Sequence, residues 1–242
     1  MATNNATPVK SSPISDKGQI KHAPFAVVEA YKKIRTNLKF LLAKNDGGVI
    51  TFSSADEAEG KSTTSINMAI AFSQLGGKIL LLDADMRRPS VNKKLKIENN
   101  DGLSNIIAGL SDFEKAVYQY NSNLDILTSG PTPPNPSELL SSASFDRLLE
   151  SCKNEYDYII IDTPPINAVS DALVVAPKTD GLLLVVRAGY TRRDSLKQTI
   201  GAAEFANINI LGAIMNGYDS SEKNYKYRKY KYSYKNYKYQ GK

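Results

Sequence analysis

The stretch SSADEAEGKSTT, residues 53–64, lies between an apolar run and a segment with helical periodicity. It matches the pattern G-x-x-x-x-G-K-[S/T] at Gly60, Lys61 and Ser62, while Ala55 stands where the pattern has its first glycine. In such a loop, backbone N–H groups and the start of the helix attract phosphate, the lysine reaches the terminal phosphates and the hydroxyl binds Mg²⁺. Because the flanking strand and helix are the context that the motif requires, we predict a P-loop that binds ATP.

Apolar runs with strand character alternate with helical segments along most of the chain. Strands are predicted at residues 48–54, 78–85, 123–130, 156–165, 181–189 and 208–218, and helices at 24–42, 61–76, 136–153 and 192–207. The runs 156–165 and 181–189 are apolar throughout, as expected of strands buried on both faces. The alternation predicts an α/β fold of the P-loop NTPase type, with a mostly parallel central sheet and helices on both faces.

The first predicted helix has its apolar residues at helical spacing. These residues are Val27, Tyr31, Ile34, Leu38 and Leu41. We therefore expect this face of the helix to pack against the domain.

Three aspartates stand at the ends of apolar strands. Asp83 and Asp85 end the run LLLDADMRR, and Asp162 ends the run IIIDTPP. Ligands of open α/β sheets bind at the carboxyl ends of the strands, so both groups are expected to converge on the P-loop. Carboxylates there can hold Mg²⁺ and can accept a proton from an attacking hydroxyl.

The positive charge of the chain is concentrated at its end. Residues 221–242 hold eight Lys or Arg against the single acid Glu222, a net charge of +7, whereas the whole chain carries +6. The same segment holds seven of the 14 tyrosines, namely Tyr225, Tyr227, Tyr230, Tyr232, Tyr234, Tyr237 and Tyr239. The tyrosines change from odd to even positions and back, so no strand face could collect them. We predict disorder for residues 1–20 and 219–242 around one domain at 21–218.

Composition also suggests where the protein works. Cys152 is the one cysteine, which excludes an internal disulfide and is typical of a reducing cytosol. The N-terminal residues lack the apolar core of a secretory signal, and no apolar run approaches the ~18 residues of a membrane span. A soluble cytoplasmic protein is expected.

With these motifs the chain resembles the bacterial tyrosine kinases of capsule and exopolysaccharide systems, over roughly residues 24–242. The resemblance is carried by EGKST, LLLDADMR, IIIDTPP and the terminal tyrosine cluster. It implies an ATP- and Mg²⁺-dependent protein-tyrosine kinase that autophosphorylates the tyrosine cluster in trans. The loop residues Glu59, Gly60, Lys61, Ser62 and Thr63 would bind nucleotide.

The resemblance also assigns roles to the strand-end residues. Asp83 resembles the carboxylate that accepts the tyrosine proton, while Asp85 and Asp162 act with Ser62 around the metal. Asn216, at the end of the last strand, either contacts the adenine or forms an Asn-Gly turn.

Further expectations concern assembly. Glu29, Lys32 and Arg35 resemble the family's E-x-x-R-x-x-R subunit contact, with lysine in place of the middle arginine. The resemblance implies a homo-oligomeric ring, with an octamer as the candidate size. It further implies a separate membrane adaptor that recruits the kinase to the inner face of the membrane, protein tyrosine substrates and a tyrosine phosphatase.

The loop departs from the related kinases, which usually have Pro-Gly where this chain has Glu57-Ala58. If the backbone has a positive φ at residue 58, alanine costs about 1 kcal/mol more than glycine there. The carboxylates of Asp56, Glu57 and Glu59 are expected to point away from the phosphate site.

Two alternatives use the same features differently. A partition or septum-placement ATPase (MinD/ParA-like) shares the nucleotide motifs, but it has a signature lysine at the position of Asp56. A nucleic-acid binder could stack the tail tyrosines on bases between phosphate-binding lysines, but it would leave the ATP site unexplained. Nucleic acid is therefore not an expected partner.

Overall fold

The computed structural model describes residues 23–42 and 47–217. The seven tail tyrosines and the predicted N-terminal segment 1–20 lie outside these residues.

A seven-stranded sheet forms the centre of the described part of the chain. Its strands are β1 (Gly48–Ser54), β2 (Ile79–Asp83), β3 (Tyr118–Asn121), β4 (Leu124–Leu127), β5 (Tyr158–Asp162), β6 (Gly181–Arg187) and β7 (Ile210–Asn216). They are arranged in the order β3-β4-β2-β5-β1-β6-β7. Every neighbouring pair is parallel except β3 with β4, which is antiparallel. The predicted α/β class with a mostly parallel sheet is confirmed.

Helices cover both faces of this sheet. They are α1 (Phe25–Leu41), α2 (Lys61–Ser73), α3 (Val91–Leu95), α4 (Leu103–Ile107), α5 (Phe113–Ala116), α6 (Pro136–Ser141), α7 (Ala143–Glu155), α8 (Asp171–Val175) and α9 (Arg193–Phe205). On one face α1 and α2 pack on the apolar side chains of β1, β2 and β5, and on the other α7 packs through Phe145 and Leu149. The first residues of β6 are fully buried, as their apolar composition predicts.

The structure departs from the predicted elements in several details. The helix expected at 136–153 is two helices, because Ser142 has an extended backbone and its hydroxyl caps α7 by accepting from the N–H of Phe145. The antiparallel edge strand β3 was not expected, since its sequence YQYN has little apolar content. Of the residues predicted to form the packed face of α1, Tyr31, Ile34 and Leu38 contact the core, whereas Val27 and Leu41 are exposed.

The strand order places the predicted site residues side by side. β2, β5 and β1 are adjacent, and their register pairs Asp83 with Asp162 and Asp162 with Phe52. The P-loop leaves β1 only two residues beyond Phe52 and enters α2 at Lys61. The loop and the aspartates therefore meet at the carboxyl edge of the sheet, as the sequence predicted.

Candidate active site

The P-loop forms one wall of a cavity of about 490 Å³. Gly60, Lys61, Ser62 and Thr63 line it, and so does Asp85 from the loop after β2. Gly60 has φ 94° and precedes the first turn of α2, so the helix begins at the cavity with its N–H groups directed toward it. A side chain at Gly60 would meet the amide of Asn216 at 2.0 Å, so glycine is required there for space as well as for conformation.

Lys61 is held by the strand-end carboxylates. Its Nζ donates to Asp85 Oδ2 at 2.8 Å, lies 3.2 Å from Ser62 Oγ and stands 3.6 Å from Asp162 Oδ2. Burial alone would lower the pKa of Lys61, but the charges of Asp162 and Asp85 raise it above its ordinary value. Lys61 is therefore a protonated ammonium group fixed at the floor of the cavity.

Asp83 is fully buried and lies in register with Asp162 on the neighbouring strand. Its Oδ1 accepts the N–H of Asp85 at 3.0 Å, and its Oδ2 accepts the N–H of Val91 at 3.3 Å. Burial and the neighbouring charge of Asp162 raise the pKa of Asp83 to about 8, against the opposing effect of Lys61. Its carboxyl group is thus able to hold a proton at a pH where an exposed aspartate is ionised.

Asp162 is also fully buried, and its Oδ1 accepts the hydroxyl of Ser65 at 3.0 Å. Its Oδ2 has no hydrogen-bond partner within the described residues, and Lys61 lies beyond hydrogen-bond distance from it. Within the same residues no group of three or more His, Cys, Asp or Glu side chains is arranged to hold a metal alone. An unpartnered buried carboxylate oxygen beside Ser62 does fit Mg²⁺, which takes one or two carboxylates and fills its other positions with water and phosphate.

The acidic residues of the P-loop have separate partners. Glu59 is buried, with Oε2 accepting the N–H of Ala55 at 2.9 Å and Oε1 accepting the hydroxyl of Thr191 at 2.6 Å. Asp56 accepts the hydroxyl of Ser195. The expectation that these carboxylates point away from the phosphate site is confirmed for both. It was wrong for Glu57, which lines the cavity.

Asp83, Asp162 and Glu59 do not line the cavity, and two further predicted site groups also lie apart from it. Asn216 donates to the carbonyl of Glu59 at 3.0 Å, and its Oδ1 accepts the N–H of Gly217, so it joins β7 to the P-loop. On α1, Lys32 pairs with Glu29 at 2.8 Å, while Arg35 donates to the carbonyl of Ala71 in the same chain.

The structure adds cavity residues to which the sequence analysis assigned no place in the nucleotide site. They are Glu57, Ala58, Arg87, Arg88, Ser90, Lys94, Pro164, Pro165, Ala168 and Val169. The arginines begin two residues after Asp85 and the prolines begin two residues after Asp162, so proximity to a predicted motif was the available signal. The cavity has four cationic and two acidic side chains on its wall, a balance suited to a polyphosphate.

Comparison with known proteins bears on this site. Residues 47–207 match a family model described as AAA domain. Tyrosine-protein kinase YwqD of Bacillus subtilis (strain 168) is 43% identical over 190 residues, which cover 78% of this chain and 80% of the relative. The chain belongs to the bacterial tyrosine kinases. Like other members, this kinase has the nucleotide-binding fold of the P-loop ATPases.

Solved structures agree with this membership. The kinase domain of Escherichia coli tyrosine kinase ETK superposes with a TM-score of 0.77 at 35% identity, covering 81% of this chain and 77% of that one. A plasmid partition protein from Borrelia burgdorferi superposes with a TM-score of 0.55 at 23% identity over 72% of this chain and 84% of that one, which shows the shared fold alone. The partition-type alternative is therefore not favoured. Within the described residues, no helix combines the length and the apolar character needed to cross a bilayer.

Glycine at residue 58 is expected to stabilise this kinase. Ala58 has φ 59°, which costs an alanine about 1 kcal/mol relative to glycine. The Ala58→Gly variant should therefore gain up to about 1 kcal/mol in free energy of unfolding, measured by chemical denaturation. Ala202→Gly, within the regular helix α9, is the matched control and should lose about as much. Equal losses in both variants would contradict the assigned strain.

The raised pKa of Asp83 predicts a pH dependence of stability. Between the ordinary aspartate pKa and about 8, the folded protein holds a proton that the unfolded chain releases, so stability falls as the pH rises. Asp83→Asn should reduce this fall by about one bound proton, measured as free energy of unfolding from pH 5 to pH 9 without nucleotide or divalent cations. Asp146→Asn, on the exposed surface of α7, is the control. Identical pH profiles for wild type and Asp83→Asn would refute the assignment.

Proposed function

We propose that the protein transfers the γ-phosphoryl group of ATP to tyrosine hydroxyls. The observation that carries this proposal is the P-loop cavity, where the protonated Lys61 contacts Asp85 and stands beside Asp162. Phosphoryl transfer needs positioned substrates and stabilisation of phosphate charge more than it needs covalent chemistry by the protein. Membership of the bacterial tyrosine kinases supports tyrosine as the acceptor.

The residues in and around the cavity have distinct proposed roles. Lys61 and the N–H groups at the start of α2, from Gly60 to Thr63, bind the phosphates. Ser62, Asp85 and Asp162 would hold Mg²⁺, which supplies neutralisation of phosphate charge when bound. Glu59 acts through its backbone, because its side chain is engaged with Ala55 and Thr191. Asn216, which donates to the Glu59 carbonyl, is a positioning residue for the loop and the proposed neighbour of the adenine.

Asp83 is the proposed acceptor of the tyrosine proton. A base works best when its pKa lies near the working pH, and the pKa of Asp83 is raised to about 8. Its Oδ2 accepts the longer of its two hydrogen bonds, 3.3 Å from the N–H of Val91, and is the proposed site of protonation. Asp85, unlike Asp83, lines the cavity, and it accepts a hydrogen bond from the Lys61 ammonium group.

The proposed first substrate is the tyrosine cluster at residues 225–239, presented by a neighbouring subunit of a ring. The 22 residues of 221–242 span at most about 70–80 Å when extended and average nearer 25 Å as a coil. This reach allows transfer in trans. Glu29, Lys32 and Arg35 are the proposed subunit contact. Glu29 and Lys32 present a partly exposed ion pair to such a partner, while Arg35 also binds the Ala71 carbonyl.

The proposed biological role is regulation of capsular or exopolysaccharide synthesis or export. It rests on the resemblance of the motifs and on membership of the family. We further propose a separate membrane adaptor that activates the kinase at the inner face of the cell membrane, other protein tyrosine substrates and an opposing tyrosine phosphatase.

Replacement of Lys61 tests the nucleotide site. Purified protein with Mg-ATP should acquire phosphotyrosine at residues 225–239, mapped by mass spectrometry. Lys61→Met should lower the rate by at least about 100-fold, because a charged phosphate-binding group is removed. Lys78→Met, an exposed lysine at the opposite end of β2, is the matched control and should retain the rate. Nucleotide binding without any phosphotyrosine would instead support a non-kinase ATPase.

Phosphorylation should also change assembly. Each phosphotyrosine adds roughly −1.5 to −2, so seven would move the tail from +7 to about −4 to −7. This reversal should release the tail from an acidic docking surface and dissociate the ring, measured by native mass across phosphorylation states. Protein with all seven tyrosines changed to phenylalanine is the control and should remain assembled with Mg-ATP. A ring that persists in the fully phosphorylated protein would contradict this mechanism.

A further inference from the structure

An ion pair spans the mouth of the nucleotide cavity. Arg88 Nη1 donates to both carboxylate oxygens of Glu57, and both side chains line the cavity with Gly60 and Lys61. Glu57 belongs to the P-loop and Arg88 to the turn after β2. The pair therefore joins the two loops that flank the proposed phosphate site.

The backbone of Arg88 is anchored close to Lys61, the proposed phosphate-binding lysine. Its N–H donates to Asp85 Oδ1 at 3.0 Å, and the other oxygen of Asp85 accepts from Lys61 Nζ at 2.8 Å. One carboxylate thus connects Arg88 to the group that binds phosphate. If the guanidinium turned away from Glu57, its backbone would still keep it at the cavity.

The adjacent arginine, Arg87, is not free to turn toward a phosphate. Arg87 donates through Nε and Nη2 to Asp171 at 2.9 and 3.1 Å, and Asp171 is fully buried. Separating that pair would leave a buried carboxylate without its counter-charge, which is strongly unfavourable. Arg87 therefore stays paired with Asp171 and holds the loop after β2 against α8.

The ion pair between Arg88 and Glu57 is easier to break than the one between Arg87 and Asp171. The side chain of Arg88 is 74% exposed and that of Glu57 is 57% exposed, so solvent screens their attraction. Guanidinium groups bind phosphate oxygens through two parallel hydrogen bonds, and a terminal phosphate carries more charge than a carboxylate. A terminal phosphate in the cavity can therefore displace Glu57 from Arg88.

We propose that Arg88 is a further substrate-binding residue that exchanges Glu57 for the terminal phosphate of a nucleoside triphosphate. The inference rests on the proposed nucleotide site and adds a means of distinguishing ATP from ADP, which lacks that phosphate. Glu57 sets the strength of the discrimination because it competes for the same guanidinium. Since Glu57 stands where related kinases usually have proline, this competition is a property of the present chain.

Removal of the competing carboxylate is the direct test. Glu57→Gln should bind a non-hydrolysable ATP analogue about two- to fivefold more tightly, with ADP changed by less than about 1.5-fold. Arg88→Gln should bind the analogue about three- to tenfold more weakly, again without an effect on ADP. The double variant should match Arg88→Gln, since Glu57 acts through Arg88. Isothermal titration calorimetry with Mg²⁺ present measures all of these affinities.

Glu150→Gln is the matched control. Glu150 pairs with Lys153 at 2.7 Å on the exposed face of α7 and does not line the cavity, so its loss changes the net charge equally. This variant should leave both affinities unchanged. Equal changes for ATP analogue and ADP in Glu57→Gln, or an unchanged ratio in Arg88→Gln, would overturn the proposal. Thermal unfolding of each variant confirms that its fold is intact.

The same titrations separate this inference from the proposed kinase function. A wild type that bound nucleotide but formed no phosphotyrosine would refute the kinase function, and the ATP-to-ADP ratios would still decide the role of Arg88. A wild type that bound neither nucleotide would overturn both.

Discussion

One ammonium group, that of Lys61, lies among the carboxylates at the ends of two neighbouring strands, β2 and β5. β2, β5 and β1 end at the same edge, so Asp83 and Asp162 are in register and Asp85 follows directly. A single cation cannot compensate three buried carboxylates, because the loss of hydration costs several kcal/mol for each ion. Burial and the charge of Asp162 accordingly disfavour the ionised form of Asp83, whose pKa is raised to about 8. Asp83 can therefore act as an acid–base group, while Asp85 and Asp162 can bind a cation.

The predictable parts of this site are those encoded in short sequence motifs. The P-loop triplet fixes a lysine one residue after a left-handed glycine, and apolar runs ending in aspartate fix carboxylates at a sheet edge. Parallel strands then bring separate motifs together without any further information. The central sheet was predictable for the same reason, because β5 and β6 are buried on both faces and carry continuous apolar runs.

What could not be predicted depends on contacts between distant residues. A polar extended residue at Ser142 divides one apolar-periodic segment into two helices, since Leu140 and Phe145 must both reach the core. The cavity wall formed by Pro164 and Val169 follows from how the loop after β5 crosses the P-loop, which no spacing in the sequence gives. The periodicity of α1 identified Tyr31, Ile34 and Leu38 on its packed face, but it could not show that Val27 and Leu41 are exposed.

The backbone at Ala58 shows how contacts with distant residues can hold a P-loop residue in an unfavourable conformation. Ala58 has φ 59°, and a strained residue persists only where its surroundings determine its backbone. Here Arg187 donates to the Ala58 carbonyl at 3.0 Å, and Asn216 donates to that of Glu59. These donors come from the ends of β6 and β7, so the sheet itself holds the loop open without glycine at residue 58. The positive φ that glycine would adopt easily is, in this chain, imposed on Ala58 by the strands beside the P-loop.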